Sequence, residues 1–503
     1  VLIAAVAGVV AASCYAGLSG LGVPAERAAL MLLIATIVLA RRRQVSGVTI
    51  LATAAMLVYV RNPLAIMTPG FNLSFAAVVL LLWLARHRNA ASYSGGGRLF
   101  RIVDGARGLI RMQLYLLFGL APLTLLFFQR FAPLSLPTNL VAVPLFSFVS
   151  VPATLTGLLF SRISGDVAGW ALRFAALSIE WLEALLAVMV RLPFADVTVA
   201  RIDGGYWLAA ILPATWVLFP RGWPARRVAI LGIPVLLLQA PDVPPTGCLD
   251  AHVLDVGQGL AAVVQTPSAT VVYDTGVSFR SGGSMAERVV IPFLRSRAIT
   301  TIDRLIVSHA DIDHSGGVSA VLNHARVGEV LLGEPLPINI PGARACRAGQ
   351  AWLADNAQFS VLHPTESEAT PGNNMSCVVR IDIGQHALLL SGDIEANAEH
   401  RLLQRRRLRR ADVVVVPHHG SLTSSSPELV AALSPQLAIV PAGYGNRWGF
   451  PKAEVTSRWQ AAGAEVLVTA SDGAISVRLC ERGGIRGVRT ARYERRRFWR
   501  AVN

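Results

Sequence analysis

Residues 304–317, RLIVSHADIDHSGG, decide the fold of one half of this chain. RLIV is a short apolar run with the make-up of a buried strand. It runs directly into His309, Asp311, Asp313 and His314, after which the small residues SGG open a helix. An imidazole and a carboxylate on each side of one tight turn suit two adjacent cations. Histidine nitrogen and carboxylate oxygen bind zinc at about 2.0–2.2 Å and also serve harder ions such as manganese. Four such groups within six positions, closing a strand, predict a metal centre and not a solvated turn.

Outward from that stretch, residues 249–479 keep the same grammar. HVLDVGQG, AAVVQT, TVVYDTG, CVVRIDI, HALLLSGD, DVVVVPHHG, LAIVPAG and EVLVTASDG are each β-branched runs closed by turn residues. Helical patterns fall between some of them, at about 316–325, 396–408, 427–434 and 452–462. Polar side chains gather just past the strand ends, where loops can converge on one face of a sheet sandwich. Asp393 closes LLLSGDIE, well placed to bridge two ions. His418 and His419 close VVVVPHHGS, and Asp274 closes VVYDTG beside a glycine that permits close backbone approach. Any one of these is an ordinary turn or cap residue; beside the His/Asp cluster they extend it. No Ser/His/Asp or Cys/His set offers a covalent nucleophile, which favours direct attack by water.

The first half reads differently. The 503 residues are 53% hydrophobic with a mean hydropathy of +0.50, too apolar for a soluble protein, and the composition breaks near residue 241 at PDVPPTG. The expected organisation is a polytopic membrane region over 1–240, a linker over 241–248, a globular domain over 249–482 and a basic tail over 483–503. Candidate spans fall at about 1–19, 27–40, 45–60, 72–86, 112–129, 138–160, 167–190, 205–219 and 226–240. The first is read as a span and not a signal peptide, and without an initiator Met the chain is read as a fragment. Thirteen arginines occupy one set of loops (41–44, 86–111, 162 and 221–227), and five occupy the other (Arg27, Arg61, Arg130, Arg191 and Arg201). Positive-inside bias puts the first set in the cytoplasm and the residues after 240 outside. Most of the net charge of +15 sits in this half, where it reports topology before any nucleic-acid footprint.

Two spans carry more than an anchor needs. Pro144 and Pro152 interrupt one apolar run, which bilayers tolerate where neighbours or a water-filled cavity satisfy the freed backbone. Arg173, Glu180 and Glu183 share one helical face and are expected toward a bundle interior or an aqueous path; an amphipathic helix lying in the interface is the alternative. Five cysteines show no zinc-ribbon spacing, and their connectivity stays open.

HVLDVGQG, YDTG, SHADIDH, SGDIE and PHHGS, in this order, resemble a metallo-β-lactamase-fold hydrolase. Joined to the preceding apolar region, whose NLVAVPLFSFVSVPATLTGLL is similar to a competence membrane domain, they resemble the ComEC family of DNA-uptake competence proteins. The resemblance implies an N-terminal all-α polytopic membrane bundle and a C-terminal α/β, metallo-β-lactamase-like αββα sandwich. It implies that His309, Asp311, Asp313, His314, Asp393 and one of His418 and His419 hold two divalent cations, with Asp274 and Asp255 behind the ligands and Asp313 in the chemistry. Asp311 stands where the general H-x-H-x-D-H signature has its second histidine, and GNNMSCVVR stands where many relatives offer another. Asn373, Asn374 and Ser376 are neutral donors there, with Asn374 expected near the reaction and Asn373 and Ser376 toward substrate. Oxygen in place of imidazole favours manganese or magnesium over tightly held zinc. Lys452 is the one lysine among 46 basic residues, in a segment, NRWGFPKAEV, that resembles one near the family's active site; it is expected to meet a phosphate or leaving group.

The function implied is DNA uptake in natural transformation. A multi-pass protein of the bacterial inner membrane would pass single-stranded DNA, while an extracytoplasmic phosphodiesterase domain degrades the other strand. Paired cations about 3.5–4 Å apart activate water and neutralise the attacking and leaving oxygens of such a reaction. The implied partners are single-stranded and duplex DNA, membrane lipid, a DNA receptor, an ATP-driven cytoplasmic motor and a second copy of the chain. Asp311 and the asparagine loop favour an alternative, a DNA channel whose C-terminal domain binds without cutting. A membrane-anchored hydrolase of a non-nucleic substrate is the third reading. QRRRLRR (404–410) is expected as an exposed helix face and RYERRRFWR (492–500) as a tail, each able to meet phosphates or anionic lipid.

Overall fold

The computed structural model describes residues 2–18, 23–41, 45–86, 98–193, 195, 197–198, 242–365 and 371–494. The chain divides into two units, Val1–Gln239 and Ala240–Asn503. The first is helical: α1 (Leu2–Leu18), α2 (Val23–Ala40), α3 (Gly47–Arg61), α4 (Pro69–Arg86), α5 (Arg98–Phe128), α6 (Ser135–Leu145), α7 (Val151–Phe160) and α8 (Gly165–Arg191). These helices occupy the expected spans up to residue 190; those at 205–219 and 226–240 lie outside the described residues. By length and composition, Asp104–Phe128 and Ser135–Phe160 can cross a bilayer, whereas Leu2–Gly17, Gly47–Arg61 and Pro69–Ala85 are shorter. The outward faces are apolar, with Ile3 87%, Phe148 80% and Trp170 74% exposed. Polar contacts sit inside: Ser150 Oγ and Ser178 Oγ lie 2.8 Å apart, and Ala168 and Ala175 are buried on the same side of α8. Apolar outside and small-polar inside is the pattern of helices packed in lipid. Two residues after α5, β1 (Arg130–Phe131), pair antiparallel with β2 (Val197–Thr198), beyond α8.

Pro144 and Pro152 lie on either side of a π turn. That turn, Phe146–Ser150, joins α6 to α7, and the Val151 N–H donates to Phe146 O across it. The wider turn absorbs the missing proline N–H and the crowding of its ring within a continuous helical run. Arg173, Glu180 and Glu183 share a face of α8 as expected, and among the described residues that face is exposed, on the side away from Ala168, Ala175 and Ser178.

The second unit stacks two mixed sheets. Its strands are β3 (Cys248–Val253), β4 (Ala262–Gln265), β5 (Thr270–Tyr273), β6 (Thr301–Val307), β7 (Arg326–Leu332), β8 (Arg344–Ala345), β9 (Ala351–Ala354) and β10 (Ala357–His363). They continue as β11 (Val378–Ile383), β12 (His386–Leu390), β13 (Val413–Val415), β14 (Leu437–Val440), β15 (Glu465–Val468), β16 (Ile475–Cys480) and β17 (Gly484–Thr490). One sheet runs β17-β16-β3-β4-β5-β6-β7-β8 and the other β15-β14-β13-β12-β11-β10-β9. Leu249, Ala251 and Val253 face Val379, Ile381, Leu388 and Leu390 in the core between them. Helices cover both outer faces. α9 (Ile291–Ser296), α10 (Ile312–Ser315) and α11 (Val318–His324) belong to the first sheet's side, where Leu294, Val318 and Val321 pack on Val263, Val272 and Leu305. α12 (Ala396–Gln404), α13 (Pro427–Leu433) and α14 (Ala453–Ala461) cover the second, burying Leu402, Leu429 and Trp459 against Val414 and Ala438. The result is the expected αββα sandwich.

Local differences have local causes. HVLDVGQG contributes only its first two residues to β3, because Gly257 and Gly259 adopt φ of 71° and 125° and end the ladder. Residues 484–494 are not a tail: β17 pairs with β16, and α15 (Ala491–Glu494) follows it. QRRRLRR is not a helix face, since α12 stops at Gln404 and Arg405 and Arg407 donate to Thr365 Oγ1 and Leu362 O. Like charges one turn apart repel and weaken such a helix. The open cysteine question resolves into Cys248–Cys480 and Cys346–Cys377, with Cys14 free.

Candidate metal centre

The carboxyl ends of the parallel strands of both sheets meet at one place. β5 and β6 run in parallel with Tyr273 beside Ile306, which sets Asp274 next to the Ser308–His309 turn. In the other sheet, Leu390 of β12 lies beside Val415 of β13, so SGD and PHHG emerge together. Two glycines allow the loops to close. At Gly259, φ 125°, a Cβ would sit 2.2 Å from Asp313 O. At Gly392, φ 56°, it would sit 2.7 Å from the Ser376 Cβ.

His309, His314 and Asp393 each bring a ligand atom within 4.8 Å of the others, and Asp313, His314 and His419 do the same. His314 Nε2 and His419 Nε2 are 3.3 Å apart, and each is 3.2 Å from Asp393 Oδ2. Asp313 Oδ2 stands 3.4 Å from His419 Nε2, and Asp311 Oδ2 3.5 Å from His309 Nε2.

Hydrogen bonding fixes how the rings present themselves. His314 Nδ1 donates to Asp274 Oδ2 at 2.8 Å, and His419 Nδ1 donates to Pro441 O at 2.7 Å. Ser308 Oγ donates to Asp274 Oδ2 at 2.7 Å and so accepts from His309 Nδ1 at 3.0 Å. Every Nδ1 is therefore satisfied behind the ring, and in the neutral tautomer every Nε2 lone pair faces the common point. His309 Nε2 is buried without a hydrogen-bond partner. Converging lone pairs beside a buried carboxylate repel one another unless positive charge lies between them. These donors fit a divalent cation: two imidazoles and two carboxylates on the Asp313, His314, His419 and Asp393 side, and a sparser set of His309, Asp311 and Asp393 on the other.

The titration behaviour carries the same message. Burial opposes charge on His419, but Asp393 and the hydrogen bond to Asp313 outweigh it and raise the ring to about 9. His314 is likewise held well above the ordinary histidine range: burial opposes, and Asp393 and Asp274 prevail. Burial would push Asp393 up, yet His314 and His419 hold it well below the usual carboxylate range. Without a cation, protons take its place.

The remaining expected residues divide. Asp274 is wholly buried, with Oδ1 accepting from Ser308 N at 2.6 Å. Ser376, also wholly buried, accepts from Asp393 N at 2.9 Å and lies 3.4 Å from His309 Nδ1, so it braces two cluster residues and does not face substrate. His418 turns away from the cluster at φ 50°, toward Thr423 Oγ1 at 3.1 Å and Glu395 Oε1 at 3.4 Å. Asn373 and Asn374 donate to Glu395 at 3.4 and 3.3 Å, which spends their amides on a neighbouring carboxylate. Asp255 does not stand behind the ligands: it accepts from Gly257 N and faces Arg492 at 3.7 Å. Lys452 Nζ donates to Trp448 O at 2.8 Å, outside the His/Asp cluster. Ser308 and Glu395 escape the sequence reading, although both stand inside the motifs that carry it, SHADIDH and SGDIE.

The profile of the Competence protein family matches residues 2–224, and that of the Metallo-beta-lactamase superfamily matches residues 254–444. "Competence protein ComA" of Neisseria gonorrhoeae is 31% identical over 97% of this chain and 66% of its own length. "Uncharacterized protein YcaI" of Escherichia coli is 29% identical over 95% and 62%. "Recombination protein 2" of Haemophilus influenzae is 30% identical over 93% and 62%. The chain thus spans a little under two thirds of the length of these relatives.

Proposed function

We propose, for a chain that joins a domain of the Competence protein family to one of the Metallo-beta-lactamase superfamily, a membrane protein of DNA uptake whose second domain hydrolyses phosphodiester bonds with bound divalent cations. The observation that carries it is the convergence of three imidazoles, each anchored at Nδ1, on Asp393. Asp313, His314, His419 and Asp393 would hold one cation, and His309, Asp311 and Asp393 a second. Manganese, zinc or magnesium there supplies the charge that neutralises a phosphodiester and makes water a competent nucleophile near neutral pH. Asp274, Ser308 and Ser376 keep the ligating atoms turned inward; Asp311, 58% exposed, is the carboxylate at the open mouth. Asp313, more deeply set, would take a hydrogen bond from the attacking water.

Three observations support a second domain outside the cytoplasm: the two disulfides, the arginine bias between loops, and the β1–β2 pairing of two loops from the arginine-poor set. A strand-binding domain that does not cut is the second reading, favoured by the commitment of Asn373 and Asn374 to Glu395. The test uses the purified chain in detergent, labelled single-stranded and duplex DNA, and manganese, zinc, magnesium or chelator. Metal-dependent cleavage abolished by Asp313→Ala supports hydrolysis. Binding without cleavage under every metal supports the second reading, and neither activity refutes both.

A further inference from the structure

Beside the cluster stands a loop that takes no part in it. Residues 443–452, GYGNRWGFPK, follow β14. Asn446 holds the loop from within: its Nδ2 donates to Gly443 O at 2.8 Å and Phe450 O at 2.6 Å, and its Oδ1 accepts from Phe450 N at 2.9 Å. Lys452 N donates to Gly420 O at 2.9 Å, which ties the far end to the PHHG turn. At the near end, Gly443 N donates to Gln258 Oε1 at 3.3 Å, from the DVGQG loop.

On this frame the side chains form a row leading away from the centre. Phe450 meets the His418 ring edge-on at 5.9 Å, one residue from His419. Trp448 lies nearly parallel to Phe450, with 11° between the planes and centroids 6.4 Å apart. Arg447 places its guanidinium 4.2 Å from the centre of the Trp448 ring, and Lys452 Nζ stands 5.6 Å from that of Phe450. Tyr444 is 83% exposed and Trp448 45%.

An indole and a phenol held out to water by a braced loop have forgone the burial that usually retains them. Trp448 is already held by Arg447 over its ring and Phe450 beside it, so a flat partner costs it little further entropy. Aromatic faces interleaved with two cations match bases interleaved with phosphates. A duplex hides its base faces in its own stack, whereas a single strand or an unpaired end offers them.

We propose that residues 443–452 are a base-stacking ledge for single-stranded DNA, with Trp448 and Tyr444 taking bases, Arg447 and Lys452 taking phosphates, and the row delivering an unpaired end to the metal centre. The inference rests on the nucleic-acid reading of that centre and adds which form of the polymer it receives.

The test measures binding of the purified chain in detergent to a labelled deoxythymidine oligonucleotide, to an abasic strand of equal length and to a duplex, all with chelator present so that nothing is cut. Trp448→Ala and Tyr444→Ala each weaken oligonucleotide binding on the order of tenfold. Both leave abasic binding nearly unchanged, and Trp448→Phe retains most of the affinity. Arg447→Ala lowers the salt slope by about 1 for every strand. Cooperative thermal unfolding of each variant at the wild-type temperature shows that the fold is kept. Wild-type affinity in Trp448→Ala, or equal affinity for abasic and intact strands, overturns the ledge. DNA that is never cleaved under any metal, yet binds more weakly to the ledge variants, refutes hydrolysis and leaves the ledge standing.

Discussion

Replacing Asp274 with Asn isolates the part of the site that no substrate touches. Three hydrogen bonds end on this carboxylate: Ser308 N at 2.6 Å on Oδ1, and Ser308 Oγ at 2.7 Å and His314 Nδ1 at 2.8 Å on Oδ2. Asn keeps the size and tolerates the φ of 58° found here. It cannot keep the acceptors. With the amide nitrogen in place of Oδ2, a donor faces Ser308 Oγ and His314 Nδ1; flipped, it faces Ser308 N. Losing one buried charge-assisted hydrogen bond costs about 1.5–3 kcal/mol of stability. The cheapest repair is for His314 to move its proton to Nε2, which points an N–H where a lone pair is needed. Loss of an orienting partner of this kind lowers metal affinity about 10- to 100-fold, or about 1.4–2.7 kcal/mol. Chelator competition with manganese on the purified chain reads the effect directly. Asp255→Asn, whose partners are Gly257 and Arg492, is the control and leaves affinity at the wild-type value. If Asp274→Asn folds cooperatively and binds manganese as the wild type does, Asp274 does not orient His314 and the tautomer reasoning is wrong.

Further outcomes follow from the same geometry. In the metal-free chain His419 is raised from an unfolded value near 6.5 to about 9, so its contribution is complete below pH 6.5 and is lost as the pH rises toward 9. That is about 3 kcal/mol, read as a falling denaturation midpoint in chelator. Metal displaces those protons, so the manganese-loaded chain shows the opposite trend, gaining stability from pH 6 to 8; parallel profiles with and without metal would refute proton–metal exchange at the cluster. Asp311→Ala removes the one ligand of the sparser set that lies mostly in solvent. Calorimetric titration then loses its weaker manganese phase and keeps the tighter one, and a curve unchanged in both phases removes Asp311 from the ligand set. Cys346→Ser opens a closure spanning 31 residues, which costs about 3–4 kcal/mol of stability by the chain-entropy account; a denaturant midpoint equal to the wild type's means the bond does not form.

What could be read from the sequence was whatever a turn residue announces. SHADIDH, SGD and PHHG close β6, β12 and β13, and runs of Val, Ile and Leu mark the strands that carry them. Which histidine of PHHG joins the cluster was not legible. His418 and His419 have nearly the same backbone, φ 50° and 55°, and only the tertiary surroundings send one to Asp393 and the other to Glu395. β17 was hidden by a register shift opposite it, between Arg478 and Leu479. Its core contacts, Ile485 and Val488, stand three apart and break the alternation that advertises a strand. α9 and the π turn before it were hidden because AERVVIPFLRS is β-branched and contains Pro292, a composition that argues against helix until the proline proves to sit in its first turn. The face of α8 that carries Arg173, Glu180 and Glu183 was legible as a face, but periodicity does not say which side a neighbour will take.

Cys377 directly follows Ser376, the residue whose hydroxyl touches both His309 and Asp393. Bonding it to Cys346 pins the wall of the pocket to the far end of the first sheet, and that bond is stable only where thiols are oxidised. On the reading proposed above, of a hydrolase domain outside the cytoplasm, maturation of the pocket would be coupled to export. A newly made chain still facing a reducing interior would lack that clasp.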